Sequence, residues 1–160
     1  MQRYIKMRTK QNNSHFFLYY SRFAVPLHPQ NEVRMKDICC IGHVTKDKIV
    51  TPSSTVYMAG GTSFYFTYAI NQLPKDVSFS LITAMDPTEK EPVEKMLKAG
   101  IDVTLNPSRN TVFFENIYGD NPNDRKQRVL AKADPFTIQQ LEHVEAKVFH
   151  LGSLLSDDFS

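Results

Sequence analysis

The residues best suited to chemistry are a glycine pair, Gly60 and Gly61, and the hydroxyl residues Thr62 and Ser63 that follow. Adjacent glycines have no Cβ atoms and tolerate positive φ, so a ligand can approach the backbone closely there. The helical pattern that follows offers unpaired N–H groups, which with the two hydroxyls point toward anything lying over the glycines. The stretch suits a polyhydroxylated or anionic small molecule, although taken alone a Gly-Gly before a helix is more often an ordinary turn.

A helix must position these groups, and the sequence predicts one directly after the glycines. Four apolar residues recur at i, i+3, i+4 and i+7, which predicts one buried helix face, and Pro74 ends the pattern. These residues are Phe66, Ala69, Ile70 and Leu73.

Strands and helices alternate from residue 37 onward. Strands are predicted at residues 38–43, 48–50, 55–58, 77–83, 101–105, 111–118, 125–131 and 146–151. A second helix is predicted after a capping box at residues 86–89, with Gly100 as its left-handed C-terminal stop. Its apolar face consists of Val93, Met96 and Leu97. A third, short helix is predicted at residues 137–144. This alternation predicts an α/β fold with a mostly parallel sheet covered by helices.

Composition is typical of a globular domain. The chain has 160 residues, of which 41% are hydrophobic and 22% charged. Its basic residues are scattered among acids beyond residue 34, so we expect neither nucleic-acid nor membrane binding. Cys39 and Cys40 are neighbours, which is typical of buried thiols in a reducing, cytoplasmic compartment more than of a metal site.

The leading segment, residues 1–34, differs from the rest. It carries six basic residues against the single acid Glu32 and shows no sustained periodicity. A signal or transit peptide is disfavoured because Arg22 interrupts the apolar run. We expect a disordered extension, with Met35 as the true translation start.

A short apolar strand ending at Gly42, then Asp47, a hairpin, and Gly60-Gly61 opening a helix follow one another. This order resembles the N-terminal half of the ribokinase and phosphofructokinase-B family of carbohydrate kinases, from residue 35 to the end of the chain. The resemblance implies a ribokinase-like fold in which hairpins at about residues 46–58 and 111–131 form a small β-lid. Closing such a lid excludes water and favours phosphoryl transfer to the sugar over hydrolysis of the nucleotide. The alternative is that the hairpins extend the edge of the main sheet.

The resemblance also implies substrate-binding residues. Asp47 matches the aspartate that accepts hydrogen bonds from sugar hydroxyls, although it could be a solvent-exposed turn residue. Gly60 and Gly61 match the family's glycine pair, with Thr62 beside them. Tyr65 stands where ribokinases have asparagine, which argues against ribose as the substrate.

Two further positions are less certain members of this set. Gly152 ends the last strand, where ribokinases place an acid and other branches of the family have glycine. His43 could reach the pocket from the end of the first strand, although a histidine in that position is more often structural. His143 and His150 have no clustered partners, and we assign no residue to a metal site.

The family's catalytic motif does not occur in this chain. Gly42, Gly60, Gly61, Gly100, Gly119 and Gly152 are all its glycines, so there is no glycine-alanine-glycine-aspartate run to supply the base and anion hole, and no Walker loop. The ATP and Mg²⁺ of the complete enzyme belong to the C-terminal nucleotide-binding half. Ser156, Asp157 and Asp158 are typical of a helix start shortly before the chain ends, which suggests truncation before that half.

Three hypotheses follow. The favoured one is the substrate-binding and lid half of an ATP-dependent sugar or polyol kinase, inactive alone, whose lid strands could pair in a homodimer. The second is a non-catalytic sugar-binding or regulatory half-domain. The third is an unrelated α/β protein. An in-frame glycine-alanine-glycine-aspartate segment downstream in the source genome would favour the first.

Overall fold

The computed structural model describes residues 17–20, 23–26, 35–74, 76–121 and 123–160. The chain divides into two units, Met1–Arg34 and Met35–Ser160. In the first unit, strand β1 (Phe17–Tyr20) pairs antiparallel with β2 (Phe23–Pro26). The rest of residues 1–34 lies outside the described part, so the disorder and the start at Met35 stay predictions.

The second unit alternates strands and helices as the sequence predicts. Its elements are β3 (Lys36–Ile41), β4 (Thr45–Val50), β5 (Thr55–Gly60), α1 (Thr62–Ile70), β6 (Phe79–Met85), α2 (Glu91–Lys98), β7 (Val103–Pro107), β8 (Phe113–Tyr118), β9 (Arg125–Ala131), α3 (Ile138–Leu141) and β10 (Ala146–Leu151). A short 3-10 turn, Pro87–Glu89, precedes α2 and is capped by the Asp86 carboxylate. None of the described helices is long and apolar enough to cross a membrane.

A parallel sheet with strand order β10-β3-β6-β7 forms the centre of this unit. Strand β3 has buried residues on both faces, as is usual for an inner strand of a parallel sheet. Cys39 and Cys40 therefore enter different apolar clusters. The first cluster contains Cys39, Ile41, Ile82, Ala84 and Phe136, and the second contains Cys40, Val44, Leu81, Met96 and Ile101.

The two predicted hairpins form a second sheet, with strand order β5-β4-β8-β9. Each hairpin is antiparallel, and β4 and β8 join them by pairing in parallel. The hairpins do not extend the edge of the central sheet, so that alternative is wrong. Alternate residues of a strand point to opposite faces, so each hairpin contributes to both faces of this second sheet.

The buried face of α1 is not the predicted one. Ser63 and Thr67 are completely buried, whereas Ala69 and Leu73 are exposed. The helix begins where β3 and β10 end in glycines, and a hydroxyl side chain fills the narrow space there. In α2, Val93 and Met96 are buried as predicted, but Leu97 is exposed.

No helix forms among residues 156–160. The predicted helix start lies at the end of the given sequence and stays a prediction. Residues 156–157 form a turn, and the Asp158 carboxylate accepts hydrogen bonds from the backbone N–H groups of Leu154 and Leu155, at 2.6 and 3.0 Å. Asp158 is almost fully buried. Its carboxylate therefore bonds to N–H groups before it in the chain, and not to those of a following helix.

Candidate functional site

The glycine pair joins β5 to α1. Gly61 has φ of 97°, a left-handed conformation that favours glycine. A Cβ there would lie 2.6 Å from the His43 carbonyl oxygen. At Gly60 an added Cβ would overlap Oδ2 of Asp47. Gly61 therefore faces the protein interior, whereas Gly60 lies under the Asp47 carboxylate.

Asp47 lies in the middle of β4 and is half-buried. Its Oδ1 accepts a hydrogen bond from the Thr45 hydroxyl at 2.7 Å. Burial raises the pKa of this carboxyl above its ordinary value, and the Thr45 hydrogen bond and the positive charge of Arg125 oppose that rise only in part. The structure therefore places Asp47 inside an extended strand, not in the solvent-exposed turn that the sequence left open.

A cavity of about 580 Å³ opens beside Asp47. Its lining comes from one face of the second sheet together with Tyr65 of α1. Cross-strand pairing explains the shared face, because Asp47 pairs with Met58 and with Phe114, and Ile49 pairs with Asn116. The lining residues are Asp47, Ile49, Thr51, Met58, Tyr65, Asn116, Tyr118, Gly119 and Arg125.

Two of the predicted site residues, Asp47 and Tyr65, line this cavity. Gly60 does not line it but lies against the Asp47 carboxylate. Sequence reasoning missed the contribution of the second hairpin, above all Asn116 and Arg125. Their alternation along β8 and β9 is visible in the sequence. The pairing that brings β8 next to β4 is not, because it joins residues as far apart as Lys48 and Glu115, 67 positions along the chain.

Gly152 lies elsewhere, against the first turn of α1. A Cβ on Gly152 would overlap the Ser63 hydroxyl, and a Cβ on Gly42 would do the same. Ser63 is completely buried, and its Oγ has no hydrogen-bond partner in the described part of the chain. Gly152 therefore allows close packing of helix on strand, and nothing in this geometry turns it toward a ligand.

His43 is also separate from the cavity. It is completely buried, stacks on Phe136 with ring centroids 4.6 Å apart, and has Nδ1 3.2 Å from the Ala84 carbonyl oxygen. Its Nε2 lies 3.6 Å from Oδ1 of Asp158. Burial lowers the pKa of His43 and outweighs the opposing effects of Ala84 and Asp158. These contacts favour a structural role for His43.

Thr62 is exposed at the start of α1 and does not line the cavity.

A smaller cavity of about 320 Å³ is lined in part by Lys46, Glu89 and Thr111. There the Lys46 ammonium is paired with the Glu89 carboxylate. A cation and an anion that already neutralise each other offer less to a polyol than the Asp47 carboxylate does. We therefore place the candidate site at the larger cavity.

The described residues do not fit a nucleotide or a metal ion. No group of three or more His, Cys, Asp or Glu side chains in these ranges is placed to hold a metal. The glycines of the chain form no phosphate-binding loop.

No protein-family model matches this chain, and no curated protein does. Solved structures do. A pyrophosphate-dependent kinase in the ribokinase family, in a sulfate complex, is 28% identical with a TM-score of 0.63, over 77% of this chain and 43% of that one. A pyrophosphate-dependent ribokinase-family kinase complexed with a pyrophosphate analogue and myo-inositol is 27% identical with a TM-score of 0.65, over 77% and 42%.

A fructokinase with bound ATP from Xylella fastidiosa is 15% identical with a TM-score of 0.59, over 73% of this chain and 42% of that one, and supports the fold alone. The chain thus spans about two fifths of the length of the solved structures it matches. The predicted resemblance and fold class are confirmed. The Met35–Ser160 unit has the ribokinase fold, and the chain resembles part of a ribokinase-family, phosphofructokinase-B-like kinase.

Proposed function

We propose that this chain is the substrate-binding and lid part of a carbohydrate kinase, which transfers the γ-phosphoryl group of ATP to a hydroxyl of a sugar or polyol. The observation that supports this most directly is the position of Asp47. Its carboxylate lines the 580 Å³ cavity, and Gly60 beneath it leaves room because it has no side chain.

The chemistry of the lining suits a polyol. An ionised carboxylate accepts several hydrogen bonds and donates none, so Asp47 can accept hydrogen bonds from two neighbouring hydroxyls at once. Tyr65 and Tyr118 offer aromatic faces on which the apolar face of a sugar ring can pack. The second sheet, which supplies most of the lining, would act as the lid that excludes water during transfer.

The phosphoryl donor and its base would come from residues that this chain does not provide, so the chain alone should bind an acceptor without phosphorylating it. The two more similar kinases are pyrophosphate-dependent, which makes pyrophosphate a second candidate donor for the complete enzyme. A non-catalytic sugar-binding module remains the alternative function.

Binding by the 160-residue chain is the direct test. Calorimetric titration with a panel of sugars and polyols, including myo-inositol and fructose, should give saturable binding of at least one compound. Asp47→Asn keeps the side-chain volume and should weaken that binding by about 1.5–3 kcal/mol, the range for a hydrogen bond to a charged group. Asp76→Asn, an exposed aspartate away from the cavity, is the matched control and should have no effect.

Two results would contradict the proposal. Unchanged binding in Asp47→Asn would remove the aspartate from the site. Sugar-dependent release of ADP or phosphate by the chain alone would show that the donor site is present after all.

The predicted homodimer is a separate matter. It rests on the open edges of β5 and β9 in the second sheet, and light scattering of the purified chain tests it.

A further inference from the structure

A cationic side chain lies in the same cavity as Asp47. Arg125 begins β9, pairs with Tyr118 across the hairpin, and lines the cavity. Other arginines of the second unit are engaged, since Arg128 pairs with Glu115 and Arg109 with Asp134. Arg125 takes part in no ion pair with any described residue, Asp47 included. Its guanidinium is therefore available to a ligand.

Asn116 adds a second donor on the same side. This residue is almost fully buried, and its Oδ1 accepts a hydrogen bond from Nε2 of Gln127 at 2.9 Å. That bond fixes the amide and leaves its NH₂ group without a partner among the described residues. The β8–β9 side of the cavity therefore presents donors, whereas the β4 side presents the Asp47 acceptor.

Such a polarised cavity fits a polarised ligand. Hydroxyls on one end can donate to Asp47, and an anionic group on the other end can accept from Arg125 and Asn116. A guanidinium binds a carboxylate or phosphate through two parallel hydrogen bonds, a geometry that no neutral hydroxyl reproduces. A neutral polyol would leave the exposed guanidinium paired only with water.

We infer that the acceptor is a sugar or polyol bearing an anionic group, a carboxylate or a phosphate, which Arg125 binds while Asp47 holds the hydroxyls. This inference rests on the proposed function, and it narrows the substrate class. A carboxylate and a phosphate share the chemistry that Arg125 recognises, so the test must separate them.

The test compares ligands that differ in one group. Calorimetric titration uses the full chain with D-glucose, D-glucuronate and D-glucose 6-phosphate, and with myo-inositol and myo-inositol 1-phosphate. The set compares a carboxylate with a phosphate on one ring and tests the phosphate on a second ring. At least one anionic compound should bind about tenfold or more tightly than its neutral counterpart, as a charge-assisted hydrogen bond predicts. The preferred member identifies the group as carboxylate or phosphate.

Arg125→Gln should remove this preference, so that in the variant the anionic compound binds no more tightly than its neutral counterpart. Lys126→Gln is the matched control, because Lys126 is the next residue of β9 and points to the opposite face of the sheet. Equal loss in both variants would indicate attraction to general positive charge and would overturn the inference. Neutral ligands that bind as well as anionic ones would overturn it too and leave the proposed function intact. Binding of none of the five compounds would overturn this inference, whereas the proposed function is overturned only if no compound of the wider sugar and polyol panel binds.

Discussion

Gly60 and Gly152 are both strand-end glycines near the start of α1, and at each of them a Cβ would overlap a side-chain oxygen. At Gly60 that oxygen belongs to Asp47, which is half-buried and lines a cavity. At Gly152 it belongs to Ser63, which is completely buried, with Gly42 on its other side. We call Gly60 with Asp47 the open corner, and Gly152 with Ser63 and Gly42 the packed corner. Both contain a glycine at the end of a strand, but their surroundings differ.

The difference shows what makes a glycine functional in this fold. A displaced Asp47 carboxylate can turn into the cavity, so crowding at Gly60 should cost ligand binding more than stability. A displaced Ser63 has little space to enter, since it is completely buried and lies against both Gly42 and Gly152. Crowding there should cost stability. Four predictions test this contrast.

The largest effect is expected at the packed corner. Gly152→Ala introduces a methyl group against the Ser63 hydroxyl and should destabilise the fold by about 3 kcal/mol, the upper part of the usual range for overpacking. Ser63→Ala in the same chain removes the overlapping oxygen, and the nearest remaining Ser63 atoms lie 3.3 Å from the added Cβ. The double variant should recover most of the loss, measured by urea unfolding.

Gly119→Ala is the control for this series, because a Cβ there has no atom within 4 Å and the backbone is not left-handed. It should leave the unfolding midpoint nearly unchanged. If Gly152→Ala is as stable as Gly119→Ala, the close packing of α1 on β10 is not real. Failure of Ser63→Ala to restore stability would point to a clash with the backbone.

A second prediction concerns the open corner. Gly60→Ala should displace the Asp47 carboxylate and weaken sugar binding by about tenfold or more, close to the lower end of the range expected for Asp47→Asn. Its free energy of unfolding should change by less than about 1 kcal/mol, because the displaced group is the end of a side chain beside a cavity. The variant combining Gly60→Ala with Asp47→Asn should bind no more weakly than either alone, since both remove the same contact. Additive losses would separate the glycine from the aspartate.

The packed corner also shows which features of the fold local sequence signals can predict and which they cannot. Element order, both hairpins and the left-handed Gly61 and Gly100 follow from local signals, which act over a few residues. The buried face of α1 did not follow from them. Periodicity counts apolar side chains, but the space beside Gly42 and Gly152 admits only small ones, so Ser63 and Thr67 are buried there.

The site was predictable in the same uneven way. The resemblance to ribokinases implied Asp47 and Tyr65 as site residues, and both line the cavity. Arg125 and Asn116 were not found, because their position depends on the non-local pairing of β8 with β4. Gly152 and His43 were included on position alone, and their neighbours indicate packing roles instead.

A third prediction uses pH. Asp47 must be ionised to accept two hydroxyl hydrogen bonds, and burial raises its pKa above the ordinary 3.8. A raised carboxyl pKa means that the folded state takes up the proton at a higher pH than the unfolded chain does. Sugar affinity should therefore begin to fall, as the pH is lowered, before an exposed aspartate would titrate. Sugar titrations of wild type and Asp47→Asn from neutral to mildly acidic pH check this prediction, and the variant should lose the pH dependence of sugar affinity.

The packed corner should respond differently to pH. Ser63 does not titrate, so the stability difference between wild type and Gly152→Ala should stay constant from neutral to mildly acidic conditions. The unfolding experiments above, repeated at each pH, measure it. A Gly152→Ala penalty that follows the sugar affinity would mean that the two corners are coupled.

The smallest effect is expected from removing residues 1–34. Both corners lie within the unit Met35–Ser160, whose sheets and cavity are built from its own residues. A chain that starts at Met35 should therefore unfold within about 2 °C of the full chain, a shift that corresponds to less than 1 kcal/mol for a domain of this size. It should keep the Gly152→Ala penalty and the Asp47→Asn loss of binding at full size. Thermal unfolding and the same titrations decide this. A large drop in the unfolding midpoint with intact sugar binding would show that the leading segment stabilises the packed corner. Weakened sugar binding at an unchanged midpoint would show that the segment takes part in ligand binding.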